Sequence, residues 1–142
     1  MSYDTNNIFA KILRGEIPAC KVYEDDFTLA FMDVMPQSDG HVLVIPKVQA
    51  TNLFEIAPDA LNRLIVTTQT IAKAAQSAFN ADGVTVMQFN GAAAGQTVFH
   101  LHFHVIPRYE GKPLRSHARE MADIKILAAQ AEQLKQVLSN LG

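Results

Sequence analysis

Three of the five histidines in this chain stand at alternate positions, His100, His102 and His104, within the stretch GQTVFHLHFHVIPR. On a β-strand, residues i, i+2 and i+4 share a face, so the imidazoles line up about 6 to 7 Å apart, near enough for one small substrate to meet more than one ring. Leu101, Phe103 and Val105 then face a core. A helix would turn His102 about 160° away from its neighbours and leave no shared site. Val98, Phe99, Val105 and Ile106 favour the strand, and Pro107 is expected to end it.

Such a row of imidazoles suits two chemistries. A histidine with an ordinary pKa of about 6.5 can attack phosphorus as a neutral nucleophile while a neighbour handles a proton, and like charges this close keep at least one ring neutral. Only the middle ring, His102, has an imidazole on each side, which makes it the natural nucleophile. Neutral imidazoles are also zinc ligands, and an H-x-H pair on a strand can chelate. Packing all three as core fits less well, because buried imidazoles need polar partners. The loop just upstream, NGAAAGQT, holds two glycines and three alanines, so its amides can come close to an anion and stabilise charge as a leaving group departs. Spacing alone leaves metal and phosphorus chemistry open; the lone cysteine and the lack of an acidic cluster near the triad weigh slightly against metal.

Positioning these residues requires a strand-rich frame. Asn6 or Asn7 can cap a short helix from Ile8 to Arg14 that Gly15 stops. KVYED (21 to 25) and FTLAFMD (27 to 33) read as a hairpin, VMPQSDG as a loop, and HVLVIP (41 to 46) as a third strand. Apolar spacing from Pro58 to about Asn80 predicts a helix, and VTVMQF (84 to 89) a strand before the histidines. From Arg119 to Leu141, residues Ile124, Leu127, Ala131, Leu134, Leu138 and Leu141 form one apolar helical seam, which fits docking on its own sheet or on a second subunit.

The 142 residues, 49% hydrophobic with formal charge −2, fit one soluble globular domain and advertise neither a nucleic-acid nor a membrane partner. Cys20 has no partner for an internal disulfide and reads as a small half-buried residue. The N-terminus lacks a basic region followed by an apolar one, and no apolar run reaches the ~18 residues that span a bilayer, so a cytoplasmic location is expected.

The stretch HLHFHVI resembles the signature of the histidine triad (HIT) superfamily of nucleotide hydrolases and transferases. IFAKILRGEIPA, VYEDDFTLAFMDVMPQSDGHVLVIPK and AGQTVFHLHFHVIPR, in that order, are similar to the Hint branch, whose members hydrolyse nucleoside phosphoramidates and aminoacyl-adenylates. The likeness runs from about Asn7 to Arg108. It implies an α+β, HIT-like fold with an antiparallel sheet of about five strands and helices, the sheet extended across a homodimer. A single domain would cover residues 1–142, with a helical tail at about 117–141.

The resemblance also implies roles. His102 takes the nucleotidyl group as a covalent phosphoramidate that water hydrolyses, and His104 contacts the phosphate or leaving group. His100 and His41 join the polar network that orients the nucleophile; alone, His41 would read as a solvated strand end. Thr97 lies near the leaving group, and the amides from Gly95 through Gln96 to Thr97 hold phosphate oxygens. Asp33, otherwise a strand-end cap, bonds the ribose hydroxyls. Ile8, Phe9, Ile12, Phe31 and Val34, ordinary core by periodicity, form the apolar slot for a purine base. His117 lies outside the matched region and reads as surface.

Two departures stand out. Relatives with structural zinc carry a C-x-x-C pair near the N-terminus, whereas here no cysteine precedes Cys20 and Gln49 stands where a histidine often lies; no metal or other cofactor is expected. Many Hint proteins have Asn two residues before the loop glycine, whereas here Phe89 holds that position and Asn90 follows as the phosphate or ribose contact. The leading expectation is a hydrolase cleaving a purine nucleoside monophosphate from an amine, acyl or phosphate leaving group. A dinucleoside polyphosphate hydrolase and a nucleotide-binding interaction module are the alternatives.

Overall fold

A computed structural model describes residues 3–115 and 121–141. Helix α1 (Ile8–Leu13) begins where the Asn7 side chain accepts a hydrogen bond from Ala10 N at 2.9 Å. Strands β1 (Lys21–Glu24) and β2 (Thr28–Met32) form the expected hairpin, its turn fixed by Asp25, whose Oδ1 accepts from the amides of Phe27 and Thr28. Strand β3 (Val42–Pro46) follows, then helix α2 (Pro58–Ala78), strands β4 (Gly83–Met87) and β5 (Phe103–Arg108), and helix α3 (Ile124–Leu141). The strands make one antiparallel sheet in the order β1-β2-β3-β5-β4, the α+β arrangement anticipated from the sequence.

All five residues of β2 and of β3 are buried, because both faces of the sheet are covered there. Ala30, Met32, Val42, Val44 and Val105 point to one face, where Leu64 and Ile71 of α2 and Leu127 and Leu134 of α3 pack. Leu29, Phe31, Leu43 and Ile45 point to the other and meet Phe9 and Ile12 of α1. Leu43 pairs with His104 and Met87 with His104, so period-two alternation puts His104 on the α1 face. The seam of α3 docks on its own chain: Leu127, Ala131 and Leu134 are buried and Leu138 partly so, while Ile124 is largely exposed. The helix starts at Ile124 rather than near Arg119, which lies outside the described residues.

The histidine strand differs from expectation at both ends. β5 starts at Phe103, so His100 and His102 precede the ladder and only His104 sits within it. Val44 pairs with Phe103, but two residues on Pro46 has no N–H to continue the pairing, and its carbonyl accepts instead from the His100 ring at 2.8 Å. At the other end β5 runs through Pro107. The Pro107 carbonyl accepts from Ser38 Oγ at 2.7 Å on the side where β3 has stopped, so its missing N–H falls where no ladder bond is needed, and Val84 pairs from the opposite side.

Gly40, immediately before His41, has φ +87°, and a Cβ there would lie 2.5 Å from the Phe79 ring at the end of α2. Gly40→Ala combines left-handed strain with overpacking and is expected to cost about 2 to 4 kcal/mol, read as a lowered urea midpoint at unchanged m-value.

Candidate active site

The nucleophile candidate is oriented by main chain. His102 Nδ1 lies 2.7 Å from the carbonyl oxygen of His100, and a carbonyl can only accept, so Nδ1 carries the proton and the neutral ring has its lone pair on Nε2. The ring is buried, with the Phe9 ring edge-on at 4.9 Å between centroids and His104 at 5.0 Å. The rings of His102 and His104 thus lean together, closer than strand spacing alone gives. Phe9 flanks His102, and His100 orients it through its carbonyl. The same test applies to His100, fully buried: Nε2–H donates to Pro46 O, so Nδ1 accepts from the Tyr3 hydroxyl.

A second chain of bonds reaches His104 from the loop between β2 and β3. The Gln37 amide donates to His41 Nδ1 at 3.0 Å, which places the His41 proton on Nε2, facing His104 Nδ1 at 3.0 Å and Asp33 Oδ2 at 3.4 Å. His104 Nδ1 therefore accepts, and the His104 proton sits on Nε2. The loop is held by Asp33 Oδ1, which accepts from Met35 N at 2.8 Å, and by Asp33 N donating to His41 O at 3.0 Å. Asp33 and His41 are buried, so His41 is not the solvated strand end its position suggested.

Ligand atoms of Asp33, His41 and His104 lie within 4.8 Å of one another, the one such group found among the described residues. A cation on His41 Nε2 would force the proton of the neutral ring onto Nδ1, against the Gln37 N–H that already donates there. This set is arranged around a shared proton.

The small-residue loop spends much of its polarity on itself. A 3-10 turn at Ala92–Ala94 is closed by Gly95 N donating to Ala92 O and Gln96 N to Gly91 O, both at 3.0 Å. Those two amides close the turn, whereas among the described residues Thr97 N has no such backbone partner, and Thr97 itself is exposed. The Gln96 side chain is buried and holds the loop, accepting from Gly91 N and donating to Thr51 O and Val98 O. Asn90 is likewise a staple: its Oδ1 accepts from Leu53 N and Gln88 Nε2, and its Nδ2 donates to Gln88 Oε1. Phe89 packs edge-on against His104 at 5.6 Å and beside Gly95.

Of the five residues expected to form the base slot, Phe9, Ile12 and Phe31 are buried in the cluster under α1, whereas Ile8 is 45% and Val34 40% exposed. His117 lies outside the described residues. Sequence reasoning missed Gln37 and Pro46, which act through main-chain groups that any or nearly any residue supplies, and Tyr3, whose partner is 97 residues away.

A buried wall of four histidines with fixed tautomers, beside an apolar cluster and a small-residue loop, is an arrangement capable of phosphorus chemistry by imidazole. Comparison with known proteins agrees: residues 14–111 match the HIT domain, and the chain belongs to that family. A HIT-like protein from Bartonella henselae, described as involved in cell-cycle regulation, superposes with TM-score 0.90 at 51% identity, covering 96% of this chain and 99% of that one. A zinc-bound histidine triad family protein from Mycobacterium smegmatis superposes with TM-score 0.85 at 34% identity, covering 96% of each chain. The adenylylsulfatase HINT3 of Arabidopsis thaliana is 39% identical over an alignment of 120 residues, and the match covers 80% of this chain and 61% of that protein. Membership makes this a nucleotide-binding protein of the hydrolase kind. Among the described residues no helix is long and apolar enough to cross a membrane.

Burial lowers the His100 pKa from 6.5 to about 4, chiefly by desolvation, with the nearby His102 acting in the same direction and the Pro46 bond opposing it. As pH falls, the unfolded chain takes up this proton first, so stability is whole above about 6.5 and is lost progressively down to about 4. The loss amounts to about 3 kcal/mol across that window. Urea unfolding between pH 7 and pH 5 should show this slope in the parent and a flatter one in His100→Gln.

Proposed function

We propose that the protein hydrolyses nucleoside monophosphate conjugates, with an amine, acyl or similar leaving group, through a nucleotidyl intermediate on His102. The observation that carries this reading is the bond from His102 Nδ1–H to the His100 carbonyl, which puts the nucleophilic lone pair on Nε2. In the first step the Nε2–P bond forms as the bond from phosphorus to the leaving atom breaks and the electron pair departs with that atom. His104 Nε2–H, its direction set by His41, stabilises the charge that develops on the phosphoryl or leaving group. In the second step water attacks phosphorus, the Nε2–P bond breaks, the lone pair returns to His102, and the water releases a proton to solvent, replacing the one that the leaving group took up from solvent as it departed.

Asp33 takes the ribose hydroxyls in this reading, with its carboxylate also fixed by Met35 N and facing His41. Ile8 and Val34 supply the accessible part of the purine slot over a floor of Phe9, Ile12 and Phe31, and Thr97 the phosphate-side amide. No metal takes part, consistent with the proton arrangement at His41. The reading also places the protein in the cytoplasm as a single domain.

His102→Ala should lower turnover of an adenosine phosphoramidate by at least about 10³-fold while product binding stays within severalfold. Parent turnover should persist in chelator. Mass spectrometry of the triad peptide after rapid non-acid quench should find the nucleotide on His102. An adduct on His100 or His104, full activity in the variant, or loss of activity in chelator would reject the mechanism; turnover confined to dinucleoside polyphosphates, or to no substrate, would favour the alternatives.

The same reading makes the protein a homodimer joined through β4. Of the two sheet edges, β1 is guarded by a register shift and by exposed Lys21 and Glu24, whereas β4, Gly83–Met87, carries no charge and exposes Val86. Light scattering of the full-length chain at micromolar concentration should return twice the chain mass, and Val86→Lys should shift it toward the monomer. A monomeric parent would overturn the assembly.

A further inference from the structure

We infer that Tyr3 is a positioning residue for the nucleophile, its hydroxyl holding the His100 ring in the orientation from which the His100 carbonyl grips His102. The inference rests on the assignment of His102 above. His100 is fully buried and anchored at both ring nitrogens, by Pro46 O at Nε2 and by Tyr3 at Nδ1, and the Tyr3 ring stands edge-on to it at 5.6 Å and 74°. With its one proton spent on Pro46, a neutral His100 has a buried lone pair that must be covered, and the Tyr3 hydroxyl covers it. Since that hydroxyl is turned inward onto His100, it serves the site through His100.

Tyr3 is itself held in place by the turn that opens α1. Asp4 O accepts from Asn7 N at 3.3 Å and Asn7 Nδ2 at 2.7 Å, and Thr5 O accepts from Arg14 Nη1 at 2.7 Å. The route therefore runs from the helix cap through Tyr3 to His100 and, through main chain, to the proton on His102 Nδ1. Removing the hydroxyl leaves His100 Nδ1 bare, so that ring rotation or a tautomer change becomes favourable. Either disturbs the Pro46 bond and shifts residue 100, whose carbonyl is 2.7 Å from His102 Nδ1. His102 then spends part of its time with the proton on Nε2, where it cannot attack.

The test uses the full chain with Tyr3→Phe, which removes only the hydroxyl, and Tyr3→Leu, which also removes the ring. The expected result is a fall in kcat of about tenfold or more in both variants, the loss of one hydrogen bond to a buried group, with KM within about twofold of the parent. Nitrogen-15 spectra of the free protein should show His102 as a single Nδ1-protonated tautomer in the parent and as a mixture in Tyr3→Phe. Parental kcat in Tyr3→Phe, with or without loss in Tyr3→Leu, or an unmixed His102 tautomer in Tyr3→Phe, overturns the inference. Should the parent turn over no substrate, the functional reading has failed and the spectra alone decide: a mixture upholds the role of Tyr3 and an unchanged His102 rejects it.

Discussion

A buried imidazole must have both nitrogens satisfied, one as donor and one as acceptor, and this wall holds four of them. That requirement organises the structure around the site. Three of the rings are matched to a group whose polarity cannot reverse: His102 and His100 to carbonyls that only accept, His41 to an amide that only donates. His104 takes its polarity from His41. Chemistry that depends on where a proton sits is thereby specified by the backbone, and the sheet, the loop after β2 and the end of β3 serve to bring those backbone groups to the rings.

The fold explains why these anchors are available. A carbonyl inside a β-ladder is spent on the neighbouring strand, so the groups that orient the histidines must come from places where the ladder stops. Pro46 is such a place, since it ends the β3–β5 pairing and leaves its own carbonyl to His100. Residues 100 to 102 lie just outside the sheet yet keep its alternation, with Leu101 in the core and its amide bonded to Ala50 O at 2.8 Å. His102 thus keeps the alternation of the strand while the carbonyl of His100 remains free of ladder duty.

Much of this architecture was legible in the residues. Period-two and period-three-to-four patterns placed all five strands and three helices to within a few residues, because β2, β3 and α2 are buried along long, regular faces. The triad announced itself by spacing, and a cap at Asn6 or Asn7 by residue type, which the structure puts at Asn7. What stayed hidden was carried by main chain or by distance. Nothing in the letters G-A-A-A-G-Q says that the main-chain amides of Gly95 and Gln96 close their own turn, nor that the side-chain amides of Asn90 and Gln96 bond to neighbouring chain. The proline at the end of β3 also supplies the carbonyl that accepts from His100 and fixes its ring.

The bond from the Gln37 amide to His41 has a consequence for how this site can vary. Nineteen of the twenty amino acids would supply the same N–H, so a scan of side chains at position 37 would pass over it in silence, and only proline, which lacks the hydrogen, could break it. The direction of the proton relay is in that sense a property of loop shape. Drift in the identity of residue 37 leaves it intact, whereas the insertion or deletion of a single residue between Asp33 and His41 would move the donor out of line and erase it.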